Sequence, residues 1–192
     1  LLNSAQAALD ASGAETEGYF GKATFSAIAS MPVSLIDDRT VLTGSLSGQL
    51  ASKNLNSAEQ CYLGGPYAIR AYPVAQGAGS QGLIASLNLS RQFGQFLSVG
   101  VFADAGLIQQ YVSTWGTPTD PNAWKGLTRA GNVYELYAGG ITAAYAYRGL
   151  QLEATLAHRI GENPLHNAVG QQVNVDNRYL RDQFWVRAIL NF

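Results

Sequence analysis

Apolar and polar side chains alternate with a period of two along most of this chain, which predicts strands with two unlike faces. The first run places Tyr19, Gly21, Ala23, Phe25, Ala27 and Ala29 against Lys22, Thr24, Ser26 and Ser30. The next two set Leu42, Leu46 and Leu50 against Thr43, Ser45, Ser47 and Gln49, then Leu83, Ala85, Leu87 and Leu89 against Ser86, Asn88 and Ser90. A fourth sets Leu97, Val99, Val101, Ala103, Ala105 and Leu107 against Ser98, Gly100, Phe102, Asp104 and Gly106. The fifth, residues 133–147, is apolar or aromatic in both registers, so its facing stays open. The sixth sets Leu150, Leu152, Ala154 and Leu156 against Gln151, Glu153, Thr155 and Arg159. The last sets Phe184, Val186, Ala188, Leu190 and Phe192 against Gln183, Trp185, Arg187 and Asn191. Seven strands are predicted and no convincing helix, with residues 2–11 a short helical or irregular stretch.

Several runs extend well past the roughly 5 to 6 residues of an average soluble strand. They match the roughly 9 to 11 residues that a tilted strand needs to cross a bilayer. Across the runs assigned above, the apolar register carries no full charge, while Lys22, Asp104, Glu153 and Arg187 fall in the other. A Lys or Arg facing lipid at mid-depth costs about 2–4 kcal/mol, so a bilayer enforces this segregation. A β-sandwich segregates its faces too, but its outer face meets water and carries Lys and Glu rather than Ser, Thr, Gly and Gln.

The connections alternate long and short, with short turns at 32–38, 92–95 and 148–149 and long stretches up to 18 and at 52–81, 112–132 and 161–180. Outer-membrane barrels have this asymmetry, short at the periplasmic end and long outside. Aromatics near strand ends (Tyr19, Phe20, Phe93, Phe96, Tyr111, Tyr147, Phe184, Phe192) suit the two interfacial girdles. Single-chain bacterial barrels have even strand numbers of about eight or more, and open edges in lipid leave backbone groups unpaired. The seven strands therefore predict an all-β, antiparallel transmembrane barrel of which residues 1–192 form the C-terminal part.

Composition narrows the function. Only 13% of residues are charged, against about 25% in a typical soluble domain. No stretch approaches the roughly 18–20 apolar residues of a spanning helix. The net charge is −1 and no Lys/Arg cluster occurs, so there is no electrostatic footprint for nucleic acid. The single cysteine, Cys61, excludes an internal disulfide framework, and with no histidine nearby it reads as a bystander. His158, Glu162 and His166 match no strong zinc spacing. No metal, cofactor or catalytic constellation is called, and the chain is not read as an enzyme.

The most distinctive stretch is Leu63-Gly64-Gly65-Pro66-Tyr67-Ala68-Ile69-Arg70-Ala71-Tyr72-Pro73. Its glycines permit tight turns, two prolines stiffen it, and Arg70 offers a guanidinium beside Tyr72. A phosphate-loop reading fails, since neither a Gly-Lys-Ser/Thr end nor a following helix is present. Ile69-Arg70-Ala71-Tyr72 resembles the Val-Arg-Gly-Tyr-like motif of TpsB transporters of the ShlB/FhaC/HecB type, with Ala71 in place of the glycine. Phe102-Ala103-Asp104-Ala105-Gly106 resembles that family's Phe-x-Asp-x-Gly motif on an inward-facing strand. Residues 157–164 resemble its penultimate strand running into a Gly-x-Asn-Pro loop, and the strand through Phe184, Val186, Leu190 and Phe192 resembles the terminal signal read by the barrel assembly machinery.

The resemblance implies the last seven strands of a 16-stranded barrel in the bacterial outer membrane, monomeric when complete, with the POTRA domains, plug helix and signal peptide upstream. Residues 1–18 would be an external loop or partial strand, and residues 52–81 a loop folded into the lumen, where Arg70 meets Asp104. The implied activity is two-partner secretion: export, and in some members activation, of a large β-helical exoprotein such as a haemolysin or adhesin. The partners would be that client, the bilayer and the assembly machinery. An assembly factor of the same superfamily is the alternative, and a soluble β-sandwich binding module a more distant one.

Overall fold

Long alternating runs joined by tight turns form antiparallel ladders between sequence neighbours. The computed structural model describes residues 4–116, 131–166 and 169–191. A helix, α1 (Ser4–Ala11), precedes the strands β1 (Lys22–Pro32), β2 (Thr40–Ala51), β3 (Cys61–Tyr62), β4 (Ala78–Gly79), β5 (Gln81–Phe93), β6 (Leu97–Gln109), β7 (Val133–Tyr147), β8 (Leu150–Ile160) and β9 (Asp182–Leu190). Seven of them make one antiparallel sheet in the order β1-β2-β5-β6-β7-β8-β9, and β3 and β4 form a separate two-stranded ladder. The sheet is not closed: β1 and β9 each pair on one side only. Neighbours in the large sheet follow one another along the chain, with only the β3–β4 ladder inserted between β2 and β5, so the short turns share one end and the long loops the other.

The register gives each face a composition. Leu87 lies opposite Ala103, Ala103 opposite Gly139, and Gly139 opposite His158. One face therefore carries Leu46, Leu87, Val101, Ile141, Leu156 and Val186, all exposed. A continuous exposed apolar surface of this extent marks a membrane or partner contact. The strands run longer than the alternation predicts, and this corrects one expectation. Arg91, Glu135, His158 and Asp182 share the apolar register, but each sits near a strand end. Each also has a partner: Arg91 bonds Asp37 (2.5 Å), His158 Nδ1 meets Asp182 (2.7 Å), and Glu135 accepts from the Tyr137 hydroxyl. Among the described residues, charge on the apolar face is confined to the rims, where its cost in a bilayer falls toward zero.

The open facing of residues 133–147 has a physical answer. The odd positions of β7 point to the apolar outer face. Its even positions Tyr134, Leu136 and Ala138 are buried against Leu63, Ile69, Ala71, Tyr72, Phe102, Ile108 and Ala157. This core lies between the inner face of the wall and the 63–79 loop, not between two sheets. Both registers of β7 are apolar because one meets lipid and the other meets the loop.

Polar staples hold the loop end. The Asn54 amide donates to Ala14 O (2.7 Å) and Ser113 O (2.8 Å), while Ser113 N–H donates back to Asn54 Oδ1 (3.0 Å). Ser80 Oγ accepts from Leu55 N–H (3.0 Å) and donates to Gln110 O (3.1 Å).

Candidate functional site

The motif loop doubles back on itself. Gly64 N–H donates to Gln76 O (2.9 Å), Gly65 N–H to Tyr72 O (3.1 Å) and Ile69 N–H to Leu63 O (2.8 Å). Gly64 is required by close approach, since a Cβ there would lie 2.2 Å from Pro73 O. Gly65 is required by its backbone, with φ at +127°. Ala71 does not have positive φ, so the turn at 71 needs no glycine and its methyl is buried in the loop–wall core.

Arg70 projects from this fold onto the wall. Its Nε donates to Asp104 Oδ2 (2.9 Å), its Nη2 to Asp104 Oδ1 (2.7 Å), and its backbone N–H to Asp104 Oδ2 (3.1 Å). This is a bidentate fork with a third, backbone bond on the same carboxylate. Ser86, directly opposite Asp104 on β5, donates to Asp104 Oδ1 (2.7 Å) and accepts from Arg70 Nη2 (3.0 Å). The Arg70 guanidinium lies 3.4 Å above the centre of the Phe102 ring, a cation–π platform. The side chains of Arg70 and Asp104 are 12% and 0% exposed. Gly106 completes the seat: a Cβ there would come within 3.1 Å of both Ile69 and Leu63. Phe102, Asp104 and Gly106 thus form three successive contacts of one inward-facing register, under the ring-stacked charge, the carboxylate bonds and the apolar side chains respectively.

Magnitudes separate two roles. Fully burying Leu63 and Ile69 is worth about 1.5–3 kcal/mol each, while the gain from the Tyr72 ring is offset by its buried, unpartnered hydroxyl. Removing one partner of a buried ion pair costs about 3–5 kcal/mol, mostly as the penalty on the charge left behind. Apolar burial therefore holds the loop down, and the ion pair decides where it sits.

Several participants lie outside the motifs. Trp185 Nε1 on β9 donates to Arg70 O (2.7 Å); its inward register was legible, its partner was not. Gln76 joins the motif loop to the 161–181 loop, donating to Asn163 Oδ1 (3.3 Å) and accepting from Val175 N–H (2.9 Å). Asn163 in turn donates to Val173 O (2.7 Å) and Asn174 Oδ1 (3.0 Å). Gln76, Asn163 and Asn174 are all buried. Burial pushes the Tyr72 hydroxyl pKa well above its usual value, against the opposing charges of Arg159 and Arg181. Cys61 lies under the loop, with its Sγ donating to Gly79 O (3.3 Å). His158 pairs with Asp182, whereas His166 Nδ1 meets Pro164 O (2.9 Å). On β9, Phe184, Val186 and Leu190 are exposed on the apolar outer face, and Phe192 lies outside the described residues.

A single sheet with an apolar outer face, and with a loop seated by an ion pair on the opposite face, is a stretch of membrane β-barrel wall carrying a loop on the face away from the apolar band. A family model described as haemolysin secretion/activation protein ShlB/FhaC/HecB matches residues 2–119, more than half of the chain. The chain belongs to that family of outer-membrane transporters, which secrete or activate exoproteins. The matched stretch contains both the 63–73 loop and the Phe102–Gly106 strand segment. No curated protein and no solved structure matches the chain.

Proposed function

We propose that this chain forms part of a translocation pore that secretes a large β-helical exoprotein of haemolysin or adhesin type, with the Arg70 loop shaping the passage. The observation that carries this reading is the seating of Arg70 on Asp104, Ser86 and Phe102, on the face opposite the apolar band. A loop held across the polar face by one defined contact set is suited to narrowing a conduit without blocking it permanently. Toward the short-turn end, that face carries a cavity of about 210 Å³ lined in part by Gln92, Gln95, Ser98, Gln151, Glu153 and Arg187. Such side chains offer donors and acceptors to an extended client, beside the apolar Phe96, Ala144, Leu152 and Ile189. No bond-making step is part of this reading. Insertion would depend on the assembly machinery reading the apolar register of β9 with Phe192, and the complete barrel would act as a monomer.

The test is secretion by the complete transporter. Arg70→Ala or Asp104→Ala is expected to reduce export strongly while the barrel remains inserted and heat-modifiable. The double variant should be no worse than either single one, because the pair acts as a unit. Additive losses would overturn the pairing. Unimpaired export by both single variants would overturn the gating role. A general loss of other outer-membrane proteins would move the reading to an assembly factor.

A further inference from the structure

Arg159 is anomalous. It is 2% exposed, and among the described residues neither its Nε nor its Nη2 meets an acceptor. Those two atoms form the guanidinium edge that grips a carboxylate with parallel bonds, the same edge that Arg70 places on Asp104. Its Cζ lies 5.8 Å from the centre of the Tyr72 ring, and the buried Tyr72 hydroxyl has no partner either.

The sheet register supplies a carboxylate nearby. Asp104 on β6 lies opposite Ala138 on β7, and Ala138 lies opposite Arg159 on β8. All three point to the inner face in one cross-strand row. Two strand spacings separate Asp104 from Arg159, about 9–10 Å between backbones, and only the methyl of Ala138 stands between them on the wall. An extended arginine spans that gap. In the seated state it is excluded, because Arg70 and Ser86 fill both oxygens of Asp104 and Tyr72 packs against Arg159.

We propose that Arg159 is the alternative partner of Asp104. When the loop lifts and carries Arg70 away, Arg159 swings across Ala138 and takes the vacated carboxylate with its own Nε/Nη2 edge. The seated state contains one ion pair and one orphaned guanidinium. The lifted state again contains one wall ion pair, with Arg70 now wetted by the lumen. Neither state strands Asp104, so the loop moves between two discrete arrangements rather than away from a single one. The inference rests on the transport reading in one respect, that the loop moves during passage.

The test uses the complete transporter with Cys61→Ser and a reporter, Ala71→Cys, at a position buried when the loop is seated. Maleimide labelling then reads lifting. Arg159→Met removes the alternative partner and the orphaned charge together. It is expected to lower the labelling rate and export by about five- to tenfold, the scale of a modest two-state coupling. Arg159→Lys should restore part of both. In an Asp104→Ala background the Arg159→Met effect should shrink, since the carboxylate to be shared is gone; a purely packing role for Arg159 would leave it unchanged. Faster labelling in Arg159→Met, or an equal fold-change in both backgrounds, overturns the swap. If Arg159→Met does not insert, Arg159→Lys alone decides. Slower labelling in that variant that disappears in the Asp104→Ala background supports the swap, whereas labelling and export equal to the parent in both backgrounds overturn it. Loss of export in Asp104→Ala with no effect of Arg159 sinks this inference alone. Indifference of export to Asp104→Ala sinks the transport reading with it.

Discussion

Gly106 shows how much of this site depends on single atoms. A Cβ at that position would press on Ile69 and Leu63 together at 3.1 Å, and two further methyls have nowhere to go. Gly106→Val should therefore unseat the loop by overpacking, at about 1–3 kcal/mol. Limited proteolysis within residues 63–79 of the inserted transporter should become faster in this variant, with the strands unaffected; an unchanged cleavage rate would show that the wall gives way instead. Phe102 and Asp104 differ from Gly106 in kind, since one supplies a π-face and the other a charge. All three were placed inward by alternation alone. Why a glycine ends the series became clear only when the loop was found above it.

At the scale of elements, the short turns and the long loops behave differently. The β1–β2 turn is held by Asp37, whose Oδ1 accepts from Thr40 Oγ1 (2.7 Å) and from Arg39 N–H (3.0 Å), with Arg91 on its other oxygen. The Thr40 hydroxyl bond, then the Arg39 amide and Arg91, hold its carboxyl below the ordinary value of 3.8. A depressed folded pKa contributes stability that is present above the unfolded value and is lost as pH falls through the folded one. Below about pH 3.8 the Arg39 and Thr40 amides should therefore lose protection against exchange relative to their intrinsic rates. Asp37→Asn should lower that protection already at neutral pH and leave it little changed by acid. Hydrogen exchange of the inserted protein checks both. The long loops are held instead by buried amides. The period-two pattern marked the 161–180 segment as a break and no more, because the Gln76–Asn163–Asn174 contacts span 87 and 11 residues of sequence. Nothing local in a polar loop announces a partner so far away.

For the whole molecule the open edges dominate. β1 and β9 leave rows of backbone donors and acceptors without ladder partners on their free sides, beside an exposed apolar face. In lipid each unpaired backbone group costs several kcal/mol, and in water an exposed edge templates aggregation. A polypeptide limited to these 192 residues should thus fail to give the compact, heat-modifiable band of a closed barrel on electrophoresis in detergent, whereas the complete transporter should give it. A heat-modifiable monomeric band from the isolated chain would mean that β1 and β9 find each other.

The sequence by itself determined the seven long strands and the facing of all of them but β7. Those depend on near neighbours, because a side chain two residues away shares a face whatever the rest of the chain does. The pairing of Arg70 with Asp104 was reached through family likeness, not through spacing. Only the tertiary structure decided that Ser86, Trp185 and Phe102 complete the seat and that the doubly apolar strand serves lipid and loop at once. It alone left Arg159 buried without a carboxylate, one strand beyond Ala138. Contacts of that sort are set by sheet register and loop return, which bring together residues that no periodicity along the chain relates.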